Sequence, residues 1–502
     1  MDFFAPFFLI VLMLVVTYIL SPLFFIVTIF RLLSVILLFQ IKEYRFDRLL
    51  AHFGETKEGK RFLREFLFSK KALVLWALVL LVPLPFYHLN AYLGYLYFWA
   101  AAVVFTIQIK DAFLQMKNRQ LRRPVYTLKM CLIFLTTTLI GVAFPIILFS
   151  PHTQIFFNPF ALVVFDRLII PIVFFSVLLL SFPTFVAKKI LMQLAKRKIT
   201  SFKNLKVIGV TGSYGKSSTK ELIADFLSAK YTVLKTPGSV NTDLGIALFI
   251  LRHLKKEHEM FVVEIGAYKM GEIASVCKMV QPTIGVLTGI NEQHLSLFGS
   301  IENTKKAKLE LIESLPSDGI ALFNGDDEAT RAMAKLSKVE ETLIYSVEQL
   351  PSSARKKENP FLSNVAAAYL LVEKLDVTKE QLAAKLGNTV KTLGIKTQQR
   401  DSVTILDDSF NTNPKGFAAA LDVLVTYEGK KILVTPGIIE LGSESARIHR
   451  ELGGKAGLIC DYIVLTNDNF KEPFEEGLEK TKFPMENFFV PKGKNWLRLL
   501  KN

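Results

Sequence analysis

The chain has 502 residues, of which 51% are hydrophobic and 42 are Phe, and its formal net charge is +16. All of that charge lies at one end: residues 1–206 hold 24 Lys and Arg against 8 Asp and Glu, while the rest holds 37 of each sign. A neutral second half has no basic face, which argues against nucleic acid as a partner, and the scattered Cys131, Cys277 and Cys460 give neither a disulfide framework nor zinc-ligand spacing.

From Phe3 to Phe39 the sequence is almost wholly apolar, interrupted by Ser21-Pro22 and Arg31. A cleaved leader has a basic start and a much shorter apolar core, so an anchor is expected here, as one long helix or a tight pair. Further spans are predicted at Ala72–Phe86, Tyr92–Ile109, Met130–Phe149 and Leu168–Ala187, about five or six in all. Residues 42–71, 110–129 and 188–206 are rich in Lys and Arg, while 87–91 and 150–159 have none. Alternate basic loops predict that those three stretches, and everything after residue 188, face the cytoplasm; contact with anionic lipid is compatible with the same topology. Arg31 and the Asp166-Arg167 pair are candidates for a substrate path or for local snorkelling and pairing.

After Lys206 short apolar runs alternate with amphipathic segments: Val207–Val210, Met260–Ile265, Thr283–Thr288, Ile320–Asn324 and Thr342–Ser346. That order predicts a parallel α/β sheet with helices on its faces. Phe361–Leu375 and Lys379–Leu386 read as helices, and a smaller strand-helix set begins at Val403 and includes Lys431–Thr435 and Tyr462–Thr466. The expected organisation is an α-helical membrane region (1–198), a phosphate-loop ATPase domain with a parallel sheet (199–398) and a smaller Rossmann-like domain (399–502).

The run VIGVTGSYGKSSTKE, residues 207–221, is strand, phosphate loop, helix. Backbone N–H groups of Ser213 to Lys216 converge on phosphate oxygens at the positive helix end, Lys216 adds a point charge and Ser217 a hydroxyl for Mg²⁺. Gly212, Ser213, Gly215, Lys216, Ser217 and Ser218 are thus candidate ATP- or GTP-binding residues. A standard Walker loop needs glycine where Val210 stands; the form TGSxGK[ST][ST] resembles instead the Mur ligase family, ATP-dependent amide-forming enzymes of peptidoglycan precursor synthesis.

Five further strings resemble that family in the same order over residues 205 to about 465, most of all its D-alanyl-D-alanine-adding branch. VVEIGAYKMGEI puts Glu264 at the carboxyl end of a strand, where ligands of open α/β sheets sit and where a carboxylate faces nucleotide-bound Mg²⁺. In LTGINEQHLSLFGSIENTKKAKLEL the resemblance implies that His294 helps hold a second Mg²⁺ and that Lys308 is carbamylated, becoming an anionic oxygen ligand; Gly289 departs from the family's Asn. LFNGDDE supplies Asn324, Asp326 and Asp327, by themselves a β-turn. ILDDSFNTNPKG gathers Asp407, Asp408, Ser409, Asn411 and Asn413 at a strand-to-helix turn suited to closing over nucleotide and meeting an amine, although helix capping alone accounts for Ser409 or Asn413. TPGIIELGSESARIHRELG places Glu440, Gly442 and His449. A partial match around Asn241 and Gly245, with Ser239 for an Asn, is taken alone a turn.

Several departures accompany these matches. Apolar spans stand where the family has its uridine-nucleotide domain. Asn364 and its Ala run lack the preceding His-Asn of the adenine-side motif; no Gly-Arg precedes Asp407, Arg400 being offset; and Lys492-Gly493 matches the terminal motif loosely, so a shortened last domain is expected. The resemblance implies Lys216, His294 and Lys308 as catalytic residues, Ser217, Glu264, His294 and Lys308 as Mg²⁺ ligands, and Asn364, Asp408 and Asn411 on ATP. A carboxylate acceptor, with a lipid-linked muropeptide as one candidate, would be activated as an acyl phosphate and joined to an amino acid or dipeptide amine at a bacterial cytoplasmic membrane. Rival readings are a membrane poly-γ-glutamate-type amide ligase and a non-catalytic membrane scaffold with a decayed ATP site. Joint retention of Lys216, Glu264, His294 and Lys308 weighs against decay.

Overall fold

The structure, a computed structural model, describes residues 21–49 apart from 43 and 47, isolated positions between 53 and 113, then 124–148, 159–355, 361–382, 385–386, 395–409 and 413–491. The chain divides into two compact units, Met1–Val186 and Ala187–Asn502.

In the first unit, helices α1 (Ser21–Ile41), α2 (Leu128–Leu148) and the leading part of α3 (Pro159–Thr200) share an apolar core. Ile36 and Phe39 of α1 meet Met130 and Ile133 of α2 and Val173 and Val177 of α3. Thr137 Oγ1 donates to Ser176 Oγ at 3.0 Å, so two hydroxyls buried in that core satisfy one another. Among the described residues one helix, Leu168–Thr200, is long and apolar enough to cross a membrane; Thr28–Ile41 and Leu128–Gly141 are shorter apolar helices. Residues 1–20, the expected span at 72–86 and, but for isolated positions, the one at 92–109 lie outside the described residues. The stretch 188–206, read above as a basic loop, is helical as far as Thr200. The reason is a set of apolar residues at helical spacing between the lysines: Met192, Ala195 and Ile199 are buried in the core of the second unit.

The second unit is built on a six-stranded parallel sheet of order β2-β3-β1-β4-β5-β6. In chain order its elements are β1 (Lys206–Thr211), α4 (Lys216–Leu227), β2 (Val233–Lys235), α5 (Asp243–His253), β3 (Met260–Glu264), α6 (Glu272–Val280), β4 (Ile284–Leu287), α7 (Leu295–Phe298), α8 (Ile301–Glu313), β5 (Ile320–Asn324), α9 (Glu328–Ala334), β6 (Glu341–Tyr345) and α10 (Leu362–Lys374). Strands β1, β3 and β4 are β-branched and buried on both faces, as a sheet covered by crossover helices requires. Ile208, Val210 and Val262 pack under α4 and α10, while Val207, Phe261 and Val263 pack under α5, α6, α8 and the end of α3. That end is fixed to α5 by charge as well: Lys188 pairs with Asp243, and Lys198 Nζ donates to Ile250 O at 3.1 Å and Leu251 O at 2.8 Å.

An antiparallel hairpin, β7 (Lys396–Arg400) and β8 (Val403–Asp407), follows, so the expected boundary at 398 falls inside a strand. Helix α11 (Pro414–Val425), β9 (Ile432–Thr435), α12 (Ser445–Ile459), β10 (Tyr462–Leu465), α13 (Lys471–Lys480) and β11 (Phe488–Phe489) complete a smaller parallel sheet, β11-β10-β9. Its core joins Phe417 and Leu421 to Ile448, Leu452, Ile463 and Phe474. Lys492-Gly493 lies outside the described residues.

Candidate active site

The phosphate loop leaves β1 at Thr211. Gly212 adopts φ 150° and a Cβ there would overlap Thr288 Oγ1; Gly215, at φ 77°, caps α4, and a Cβ there would lie 2.6 Å from Asn364 Oδ1. Glycine at the cap brings no side-chain acceptor to the first turn of α4, an arrangement that suits the helix start to an anion. Lys216 folds back over the loop, its Nζ donating to Gly212 O at 2.8 Å and Ser213 O at 3.2 Å. Burial lowers its pKa, and the charge of Glu264 partly opposes that.

Glu264 ends β3 directly in register with Val210, so the sheet itself brings the carboxylate to the loop. Ser217 Oγ donates to Glu264 Oε2 at 2.7 Å, and Asn241 Nδ2 donates to Oε1 at 2.9 Å. Asn241, taken from sequence as part of a turn, is therefore a partner of the carboxylate. Lys220, one helical turn beyond Lys216 and fully buried, sits 3.6 Å from Glu264 Oε2 and donates to Gly238 O at 2.5 Å. Two hard oxygen donors beside a phosphate loop suit Mg²⁺.

His294 adopts φ 60° between β4 and α7. Its Nδ1 lies 2.5 Å from Glu440 Oε2, which orients the ring and, in the neutral form, leaves Nε2 as the lone-pair nitrogen. Burial lowers the pKa of His294 against the hydrogen bond and charge of Glu440, with Lys216 and Lys308 pushing the same way as burial. Lys308, buried on α8 with Nζ 5.5 Å from the centre of the Phe298 ring, has its pKa lowered to about 7 by burial and by the charge of Lys216. Lys216, Glu264, His294 and Lys308 are thus close enough for their charges to act on one another. Among the described residues no three His, Cys, Asp or Glu form a metal cluster; an unmodified Lys308 is an amine, poorly matched to Mg²⁺.

The smaller domain reaches this pocket from its loops. Asn413 caps α11 through Gly416 N at 3.1 Å, and the same Oδ1 accepts from Asn291 Nδ2 at 2.8 Å. Arg447 reaches Glu292 at 3.2 Å, and Glu440 meets His294 as above.

Residues 210–371 match the Mur ligase middle domain and residues 394–486 match the Mur ligase glutamate ligase domain, together just over half of the chain. The chain belongs to the Mur ligase family. Mur ligases are ATP-dependent ligases that join an acid to an amino acid. The UDP-N-acetylmuramoyl-tripeptide--D-alanyl-D-alanine ligase of Haemophilus influenzae is 29% identical over 332 residues, 59% of this chain and 72% of that enzyme. The enzyme of the same name from Bacillus subtilis is 31% identical over 288 residues, 52% of this chain and 62% of its own length. This chain therefore spans less than two thirds of the Bacillus relative. Among solved structures, MurF from Acinetobacter baumannii superposes with a TM-score of 0.54 at 26% identity, covering 62% of this chain and 74% of that one. MurF from Thermotoga maritima in complex with ADP gives 0.51 at 25% identity, covering 62% and 76%.

Other residues of the Mur ligase strings make contacts within the protein. His449 is fully buried and holds its own domain together: Nε2 accepts from Ile438 N at 3.0 Å, Nδ1 donates to Ser445 O at 2.7 Å, and the ring stacks on Phe470. Asn324 ties Thr288 O to Ser363 Oγ and Asp326 N. Asp407 accepts from Ser409 N at 3.0 Å and Ser409 Oγ at 2.5 Å, forming a turn, and burial followed by the charge of Asp407 raises the pKa of Asp408. Asn411 lies outside the described residues. Asn364, whose Oδ1 also accepts from Thr219 Oγ1 at 3.2 Å, is under the loop at Gly215. Lys220, Tyr214, Asn291 and Lys415 were not singled out from sequence. Lys220 had one signal: it shares a helix face with Lys216.

Proposed function

We propose that this chain is a MurF-like ATP-dependent ligase of peptidoglycan precursor synthesis, which activates a muropeptide carboxylate and joins it to the amine of an amino acid or dipeptide. The observation that carries the reading is the phosphate loop with Lys216 folded over it, Ser217 bonded to the Glu264 carboxylate beside it, and His294 held by Glu440 of the smaller domain. The names of the relatives support D-Ala-D-Ala as the amine.

A carboxylate oxygen attacks the γ-phosphorus of ATP and the bond to ADP breaks, giving an acyl phosphate; an amine lone pair then attacks the carbonyl carbon, phosphate leaves and the amine gives up a proton. Lys216 and the loop N–H groups take up negative charge at the phosphates during transfer. Magnesium, held by Ser217 and Glu264 and by His294 and a carbamylated Lys308, would supply further charge neutralisation there. Lys308 suits carbamylation: burial lowers its pKa to about 7, so a substantial share of it is the uncharged amine in neutral solution. The nitrogen of the uncharged amine bonds to the carbon of CO₂ and one proton is lost, leaving an anionic carbamate. Glu440 holds His294 through Nδ1, which in the neutral ring leaves the lone pair on Nε2.

The membrane part of the proposal is that the chain is multi-pass in a bacterial cytoplasmic membrane, with its catalytic domains in the cytoplasm and a lipid-linked muropeptide as acceptor. It is supported by the apolar α3 and by the charge asymmetry of the sequence. Detergent-solubilised protein supplied with ATP and a panel of D-Ala-D-Ala, glutamate, glycine and diamino acids tests the amine; ADP release with glutamate in place of D-Ala-D-Ala would favour the poly-γ-glutamate-type alternative. Offering soluble and lipid-linked muropeptide in parallel tests the acceptor, and turnover on the soluble form alone would remove the lipid-linked reading.

A further inference from the structure

Lys415 is a cation in the first turn of α11, where it opposes the helix macrodipole, so its position calls for a compensating partner. That partner lies across the interface. Lys415 Nζ is 2.5 Å from Asp327 Oδ2 and 3.1 Å from the Tyr214 hydroxyl, and it stands 4.9 Å from the centre of the Tyr214 ring. Tyr214 is the phosphate-loop residue between Ser213 and Gly215, and its hydroxyl donates to the same Asp327 oxygen at 2.7 Å. The ring lies across Gly289, where any Cβ would overlap it, and the Tyr214 carbonyl accepts from Thr288 Oγ1. The Gly289 departure noted in the sequence is therefore the space that this tyrosine occupies.

Asp327 is only 2% exposed and also caps α9 through Thr330 N at 3.0 Å, so it is held rigidly on the nucleotide side. Burial works to neutralise it, but hydrogen bonds from Lys415, Thr330 and Tyr214 outweigh burial and keep its carboxyl below the ordinary pKa. Arg400, the offset arginine of the sequence, stands exposed on the β7–β8 hairpin with its backbone paired to Val403. Among the described contacts between the two domains, Lys415 is the cation that touches the phosphate loop.

We infer that Lys415, Asp327 and Tyr214 form a closure latch, in which the smaller domain grips the phosphate loop through Tyr214 and fixes it for phosphoryl transfer. The latch rests on the ATP-dependent reaction proposed above, and its residues are positioning residues: they act through the loop. Opening of the smaller domain breaks the Lys415 contacts and releases the tyrosine ring, so loop order and domain closure are one event.

The test uses full-length protein carrying Lys415→Met, Lys415→Arg or Tyr214→Phe. Spin labels at Leu336→Cys and Leu458→Cys, both exposed in the parent, report the distance between the domains in a Cys131→Ser background, Cys277 and Cys460 being buried. With magnesium and an unreactive ATP analogue, the otherwise unsubstituted labelled protein and K415R should give one short distance, and K415M a second, longer population. K415M should lose about tenfold in kcat while KM for ATP moves less than about twofold. The Y214F/K415M pair should be no worse than K415M by more than about twofold, because both substitutions break one contact. An unchanged distance distribution in K415M, or losses that multiply in the double variant, overturns the latch. If the parent forms no amide with any acceptor, the ligase reading fails, and the distance measurement still decides the latch.

Discussion

Strands β3 and β4 of the larger sheet are buried at every position, whereas β8 and β9 of the smaller domain turn most of their residues toward solvent, Val403, Ile432 and Val434 among them. The two domains of one site thus have different depths of core. The larger sheet holds the phosphate loop, Glu264 and Lys308 on elements packed from both faces, which suits groups that must keep their positions through catalysis. The smaller domain contributes Asn413, Lys415 and Glu440 from turns and a helix start, and these meet partners across an interface. On the proposed reading, chemistry is fixed on the thick domain and assembly of the site is governed by the thin one.

That division can be broken by substitution. Phe261→Ala, at a fully buried position of β3, should cost about 3–5 kcal/mol in denaturant unfolding of the larger domain; a loss no greater than that of a surface change would mean that the double-faced core does not anchor the loop. Lys216→Ala should leave the thermal transition nearly unchanged and lower ADP release about 10²–10³-fold, an outcome a non-catalytic scaffold would not give. Protein stripped of CO₂ should work about tenfold more slowly and recover with bicarbonate. Recovery should be faster above pH 7 than below, because Lys308 sheds its proton as the pH rises through about 7 and only the uncharged amine attacks CO₂. On the thin side, Asn413→Ala removes a helix cap and the contact to Asn291, and should cost about 1–2 kcal/mol in the smaller domain's own transition. Ile432→Thr, on the solvent side of β9, should change stability by no more than about 0.5 kcal/mol, the smallest effect of the set.

The larger domain was also the more legible in sequence. Its strands are short β-branched runs with glycine-relaxed ends, and Glu264 and the phosphate loop lie at strand ends where chemistry is expected, so local patterns placed them. Lys220 escaped because a lysine on a surface helix reads as solvated; only the fold shows that its side chain runs inward to Glu264. The carry-through of α3 to Thr200 was hidden for a related reason, the buried Met192, Ala195 and Ile199 being set among the five basic residues of 188–198. His449 shows what a matching string leaves open. Its string matched a family motif, yet both ring nitrogens are taken by Ile438 and Ser445, a fact fixed by tertiary packing alone. Lys415 left one trace, a positive charge at a positive helix end, whose meaning required Asp327, 88 residues away.

Lys220 has one more consequence. Because an ammonium is built in beside the Glu264 carboxylate, the acid keeps a counter-ion after nucleotide and divalent cation have departed. A buried carboxylate without a partner is costly. In the proposed ligase the cleft can therefore idle between rounds with Ser217 and Glu264 already paired, ready for the next triphosphate.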